Sequence, residues 1–504
     1  MTHRRPALHA IPLCVLLSHC AHTHPATSPG PTLPLARTPA NVPLPSASVP
    51  RNTALATLPS EPPRAPESTA LTVPEVSTHT LANGLALWTL SQSTLPIVHV
   101  RVIARGLGSA QDPTRFPGLA RFAATTLRHG TTQHDARAFA LALEQTGAQL
   151  DTSTTEDATT IALDTVPEHL EATLALVGEM LAHPVFSPAE VSLVRQQEID
   201  RVTQSMADPH WLAGVTFARA IYGQAHGYGH ADTNARVLRS VTQAQLVALH
   251  AERIRAGSLQ VIVVGDVPTE RAQSLVQRAF ADIPAGSAPA LTLPAVPVAT
   301  RSRTVLLVDR PASQQSFVRV GRLGVARNDP QWSTLAVAGQ VLGGSPSSRL
   351  FVDLRERRSL TYGAYARNES NAQPGVFYAE GSTRLEQTAD FAQGLLEHCD
   401  RLATEPVPTE ELALARSVVS NRLVTSLATA ADIATQLAGL AEVQLAAPWL
   451  SEHRARVATT NAESLMQAAQ SHIATQRAVM VVVGPARTLR VPLARFGTVR
   501  VVSP

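Results

Sequence analysis

The later part of this 504-residue chain restates the earlier part, and that limits its fold more than any other feature. Leu259-Gln-Val-Ile-Val-Val-Gly265 and Ala478-Val-Met-Val-Val-Val-Gly484 are the same kind of segment, an apolar run without alternation that stops at glycine. Such runs read as strands buried on both faces. The segments leading to each come in the same order. In the first half, Thr78–Trp88 reads as a hairpin about an Asn83-Gly84 turn, and Ile97–Ile103 as a strand. Helices follow at Pro117–Thr131 and Asp135–Thr146, a strand at Thr159–Thr165, and helices at Glu168–Ala182 and Pro188–Met206. The second half offers strands at Arg303–Val308 and Gln315–Val320 and helices at Trp332–Leu342 and Arg349–Arg358. Strands at Tyr362–Ala366 and Val376–Glu380 and helices at Thr388–Ala403 and Glu410–Leu427 complete it. A repeat at roughly 215 residues predicts two tandem α+β domains, each a mixed, mainly antiparallel sheet packed with helices.

The predicted boundaries follow from composition. Residues 75–283 and 303–490 form the two domains, 284–302 a Pro- and Ala-rich linker, and 491–504 a C-terminal tail. Residues 21–74, dominated by Pro, Ala, Ser and Thr, cannot bury enough apolar surface to offset chain entropy and read as a disordered tether. Residues 1–20 read as an export signal, with Arg4 and Arg5 before the short apolar run Ile11–Leu17. Leu17-Ser18-His19-Cys20 is similar to a bacterial lipoprotein cleavage box with Cys20 as the acylated residue, although His19 stands where Gly or Ala is usual. Lipidation and plain secretion both remain open, and the expected location is the periplasm or the outer membrane of a Gram-negative bacterium. With only Cys14, Cys20 and Cys399, a disulfide framework is excluded. All 42 basic residues are Arg, but the net charge is only +3, which gives no case for nucleic-acid binding.

Several blocks resemble the M16 (insulinase/pitrilysin-like) metallopeptidases, in particular bacterial two-domain subunits related to mitochondrial processing peptidase. They include Leu81-Ala-Asn-Gly-Leu85, Pro117-Gly-Leu-Ala120 with Phe122, Arg128-His-Gly-Thr131, Ala225-His-Gly-Tyr-Gly229 and Val264-Gly-Asp266. The most specific are Leu342-Gly-Gly-Ser-Pro-Ser-Ser-Arg-Leu-Phe351 and Leu354-Arg-Glu-Arg-Arg-Ser-Leu-Thr-Tyr362. The resemblance covers about residues 75–490. Active members of that family carry His-x-x-Glu-His on the helix that corresponds to Pro117–Thr131. Two histidines one turn apart hold zinc, the glutamate activates its water, and a distant glutamate completes the ligands. Aligned on Gly118–Ala120 and Gly130-Thr131, those positions are Arg121, Ala124 and Thr125 here, and the distant glutamate falls at Glu198. Arg121 repels a cation, Ala124 offers no base and Thr125 is a poor ligand. Glu198 then reads as a partner of Arg121 or a solvated helix residue. His129 and His134 with Asp135, or His226 with His230, are candidates to rebuild a site, and turn or surface histidines are the simpler reading.

Related peptidases grip the substrate backbone with an Arg and a Tyr seven residues apart in the second domain, and Arg355 and Tyr362 keep that spacing. The competing reading pairs Arg355 with Glu356 on the surface and buries Tyr362 at the start of a strand. The resemblance therefore implies a non-catalytic subunit that binds no zinc itself. It would bind unfolded peptide through Arg355 and Tyr362 and form a heterodimer with a zinc-bearing M16 subunit. It would meet a membrane only through an N-terminal lipid. The alternatives are a structural or binding protein without a proteolytic role, and an active metalloendopeptidase with rebuilt zinc ligands.

Overall fold

A computed structural model describes residues 75–230, 233–297, 302–369 and 371–503. The expected signal, lipidation site and tether lie outside them. Among the described residues twelve strands form two six-stranded sheets. The first holds β1 (Ser77–Thr80), β2 (Ala86–Ser91), β3 (Val98–Ala104), β4 (Gln149–Thr154), β5 (Thr159–Thr165) and β6 (Leu259–Gly265) in the order β1-β2-β6-β3-β5-β4. The second holds β7 (Thr304–Asp309), β8 (Gln315–Leu323), β9 (Ala364–Asn368), β10 (Val376–Arg384), β11 (Val479–Gly484) and β12 (Val499–Val502) in the order β12-β7-β11-β8-β10-β9. Strand for strand the sheets correspond. β2 runs parallel to β6 as β7 does to β11, and the remaining inner pairs are antiparallel in both. They part at one edge, where β1 joins β2 antiparallel through the Gly84 turn (φ +92°) and β12 joins β7 parallel. Residues 499–502, read from sequence as part of a tail, are thus an edge strand of the second sheet. Residue 490, the expected end of that domain, lies inside the helix Ala486–Leu493.

The glycine-ended apolar strands explain how the halves are joined. Every residue of β6 and of β11 is buried, so each sheet needs cover on both faces. One face of the first sheet, including Val261 and Val263, packs on α1 (Leu119–Thr126), α3 (Leu170–Ala182) and α4 (Pro188–Ser205). The opposite face, with Ile103, Ile262 and Val264, packs on Ile433, Ala434 and Leu437 of the helix Ala430–Glu442, which belongs to the second half. The second sheet is covered reciprocally. Met480 and Val482 join its own helices, while Val479, Val481 and Val483 meet Leu212, Ala213 and Phe217 of α5 (Pro209–Tyr222) from the first half. Each half lends a helix to the other's sheet.

Candidate functional site

Helix α1 starts where Gly118, at φ +85°, turns the chain. A Cβ there would lie 2.6 Å from Thr233 Cβ, so both the backbone angle and the space call for glycine. Asp112, buried just upstream, caps the turn. Its two carboxylate oxygens accept from Gly118 N at 2.8 Å and Ala120 N at 2.9 Å. Leu119, Phe122, Ala123 and Leu127 face the core as their spacing requires.

The three positions that align with zinc-binding residues have other structural roles. The Arg121 guanidinium donates to the Thr154 carbonyl of edge strand β4 at 2.8 Å. Ala124 is buried, 1% exposed. Thr125 Oγ1 donates back to the Arg121 carbonyl at 2.9 Å, one helical turn earlier. Glu198 on α4 is not solvated: it is 6% exposed and its carboxylate accepts from Arg201 Nε at 2.9 Å. An arginine, a methyl group, a back-bonded hydroxyl and an ion-paired carboxylate do not fit a zinc centre.

The histidines are engaged separately. His129 Nδ1 meets Glu190 Oε2 at 3.0 Å, and His134 Nδ1 meets Glu179 Oε2 at 3.0 Å. Asp135 caps α2 (Ala136–Glu144) by accepting from Ala138 N at 2.7 Å. His226 is buried, stacked on Tyr222 with ring centroids 5.0 Å apart, and its Nδ1 accepts from Tyr228 N. The His230 side chain lies outside the described residues. Among the described residues no group of three His, Cys, Asp or Glu converges as metal ligands would.

Arg355 and Tyr362, by contrast, come together. The expected helix Arg349–Arg358 is realised over Phe351–Arg357 as a wide π-helical turn, a form often found at functional positions. It is followed by Ser359 at φ +51°. That corner is fastened to the end of β10, where Thr361 Oγ1 donates to the Ser382 carbonyl at 2.6 Å and Thr383 Oγ1 to the Leu360 carbonyl at 2.6 Å. Arg355 lies over the Phe351 ring at 4.5 Å and makes no ion pair among the described residues, so the surface pairing with Glu356 does not form. Tyr362 is 89% exposed and precedes β9; it is not a core residue. Both side chains line one groove of about 380 Å³ together with Gln315, Ser359, Thr361, Ser382 and Arg384.

Two further features escape the sequence reading. Arg384, the last residue of β10, shares that groove but carries no motif signal. The other is a polar seam between the halves. Asp157 accepts from the Tyr228 hydroxyl and from Ala372 N at 2.9 Å, Tyr222 OH donates to the Pro374 carbonyl at 2.9 Å, and Thr160 Oγ1 donates to Glu442 Oε1 at 2.6 Å. Beside it, Arg319 and Glu380 form a buried ion pair at 2.7 Å, with Arg319 over the Tyr378 ring. Burial raises the carboxyls of Asp157 and Glu442 and pushes that of Glu369 up to about 7. Tyr228 was visible only as part of the Ala225–Gly229 block, which gives no hint of its partner 71 residues away in sequence.

Residues 90–218 match the family description "Insulinase (Peptidase family M16)", and residues 240–419 match "Peptidase M16 inactive domain"; together they span more than half of the chain. An uncharacterized zinc protease of Mycobacterium tuberculosis is 24% identical over 411 residues, covering 81% of this chain and 92% of that protein. A protein of Helicobacter pylori named a non-peptidase homolog is 25% identical over 329 residues, covering 64% of this chain and 70% of its own. The crystal structure of a peptidase M16 inactive domain from Pseudomonas fluorescens matches with a TM-score of 0.75 and 26% identity, over 81% of this chain and 98% of that one.

Proposed function

The chain belongs to the M16 family of insulinase-like peptidases, and from that premise we propose that it is a non-catalytic subunit that holds unfolded peptide for a separate zinc-bearing M16 partner. One contrast carries the reading. The helix that bears the zinc ligands in active relatives has given those positions over to folding, while Arg355 and Tyr362 stand exposed in one groove. Tyr362 is 89% exposed, so its phenol is open to a bound peptide. The guanidinium offers paired N–H donors and the phenol a single one, a set suited to a peptide carbonyl. Cleavage would take place on the partner, and this chain would position the peptide. Export, with or without acylation of Cys20, is part of the proposal and is read by mass spectrometry of the mature N-terminus.

Reconstitution with a zinc-bearing M16 subunit tests the division of labour. The pair should cleave an unfolded peptide, and this chain alone should hold no stoichiometric zinc and cleave nothing. Replacing Arg355 and Tyr362 together by Ala should lower cleavage by the pair about 100-fold, the scale expected when oriented donors are removed. Unchanged cleavage would instead favour a scaffold without a proteolytic role.

A further inference from the structure

The groove that holds Arg355 and Tyr362 contains a second guanidinium and no carboxylate among its lining residues. Arg384 stands at the end of β10, and Gln315, Ser359, Thr361 and Ser382 line the same groove. Its Nε edge is occupied: Gln387 Oε1 accepts from it at 3.1 Å and Glu386 Oε1 lies at 3.6 Å. Its two terminal amines have no partner among the described residues, and those are the groups that grip a carboxylate as a fork. Arg355 makes no ion pair at all among the described residues and lies over the Phe351 ring. Close by in sequence, Arg349 is paired with Glu411 and Arg358 with Asp353 and Glu397. Two guanidiniums around one groove with no carboxylate in its lining concentrate positive potential there, although Glu386 offsets part of it at Arg384.

We infer that Arg384 is a specificity residue, and that the groove prefers peptide segments with an acidic side chain next to the backbone held by Arg355 and Tyr362. The inference rests on the peptide-binding reading above. Arg384 would form a two-pronged contact with an Asp or Glu carboxylate of the bound peptide, aided by the Ser382 and Ser359 hydroxyls. The site is solvent-exposed, so the preference is modest and falls with salt.

The test uses the full chain and two unfolded peptides that differ only in Glu against Gln at two positions, followed by the anisotropy of an uncharged dye. The Glu peptide should bind about five-fold tighter at low salt, the scale of a well-formed exposed ion pair. Arg384→Gln should remove that advantage. Equal affinities for the two peptides, or an advantage that survives Arg384→Gln, would overturn the inference while leaving the backbone grip in place. Binding of the Gln peptide that is indifferent to Arg355→Ala with Tyr362→Ala would overturn the grip itself, and with it the inference. Competition by inorganic phosphate at constant ionic strength without any preference for the Glu peptide would assign the groove to a free anion and equally overturn it.

Discussion

At the scale of single residues, the α1 region shows how a helix can keep its place after losing its chemistry. Arg121 ties the helix to edge strand β4 through the Thr154 carbonyl, and Ala124 is buried. Restoring a glutamate at 124 would put an unpartnered charge at a 1% exposed position, so a return to zinc chemistry has a folding cost as well as a ligand requirement. What fixes the helix start is Asp112. Burial pushes its carboxyl up to about 7, while the N–H groups of Gly118 and Ala120 and the nearby Arg253 favour the charged form. Asp112→Ala would leave two buried N–H donors without their acceptor. We expect it to cost about 1–3 kcal/mol in urea unfolding. An unchanged midpoint would show that Asp112 does not hold the turn.

At the scale of elements, the exchange of helices between halves makes each sheet depend on distant sequence. Leu437 of the helix Ala430–Glu442 is buried against β3 and β6 of the first sheet. Leu437→Ala should destabilise the chain by about 2–5 kcal/mol. Hydrogen exchange should accelerate in Val98–Ala104 and Leu259–Gly265, and a loss of protection confined to residues 430–442 would contradict the shared core. This exchange also marks where the sequence stops being legible. The apolar runs at 259–265 and 478–484 state that both faces are covered, but not by what, because covering helices are specified by shape rather than by a local pattern. Strands with strong β-propensity, such as Thr159–Thr165, are readable to the residue. Edge strands β4 and β12, half-exposed and short, are not. In the groove, the spacing of Arg355 and Tyr362 was legible through resemblance alone. Arg384 was not, because it reaches the groove by strand pairing and no sequence spacing records that.

At the scale of the whole molecule, the two halves meet across a seam rich in carboxylates. Glu369, at the end of a second-half strand, faces Glu156 of the first half and Glu380, with Arg319 and the Tyr378 hydroxyl as the favourable neighbours. Burial, then the two other carboxylates, raise its pKa from an ordinary 4.5 to about 7, and Arg319 pulls it back only in part. A carboxyl whose folded pKa exceeds its unfolded one stabilises the fold fully below the unfolded value and loses that contribution as pH rises through the folded value. For Glu369 the window runs from about 4.5 to about 7. Asp157 and Glu442 are raised by burial as well and act in the same direction. Asp164 and Asp353 are held low by His99 and His398 with neighbouring arginines, and they act oppositely, losing their contribution as pH falls. The net profile therefore mixes both signs, and the informative quantity is the difference between the native chain and Glu369→Gln. The amide keeps the shape and still accepts from Tyr378 but does not titrate. Relative to the native chain, Glu369→Gln should be about 1–2 kcal/mol more stable at pH 8 and show little advantage at pH 4.5. Thermal melts at the two pH values read this directly. A variant whose advantage is the same at both would mean that Glu369 ionises in the folded chain as it does in the unfolded one, and that the seam places no penalty on its charge.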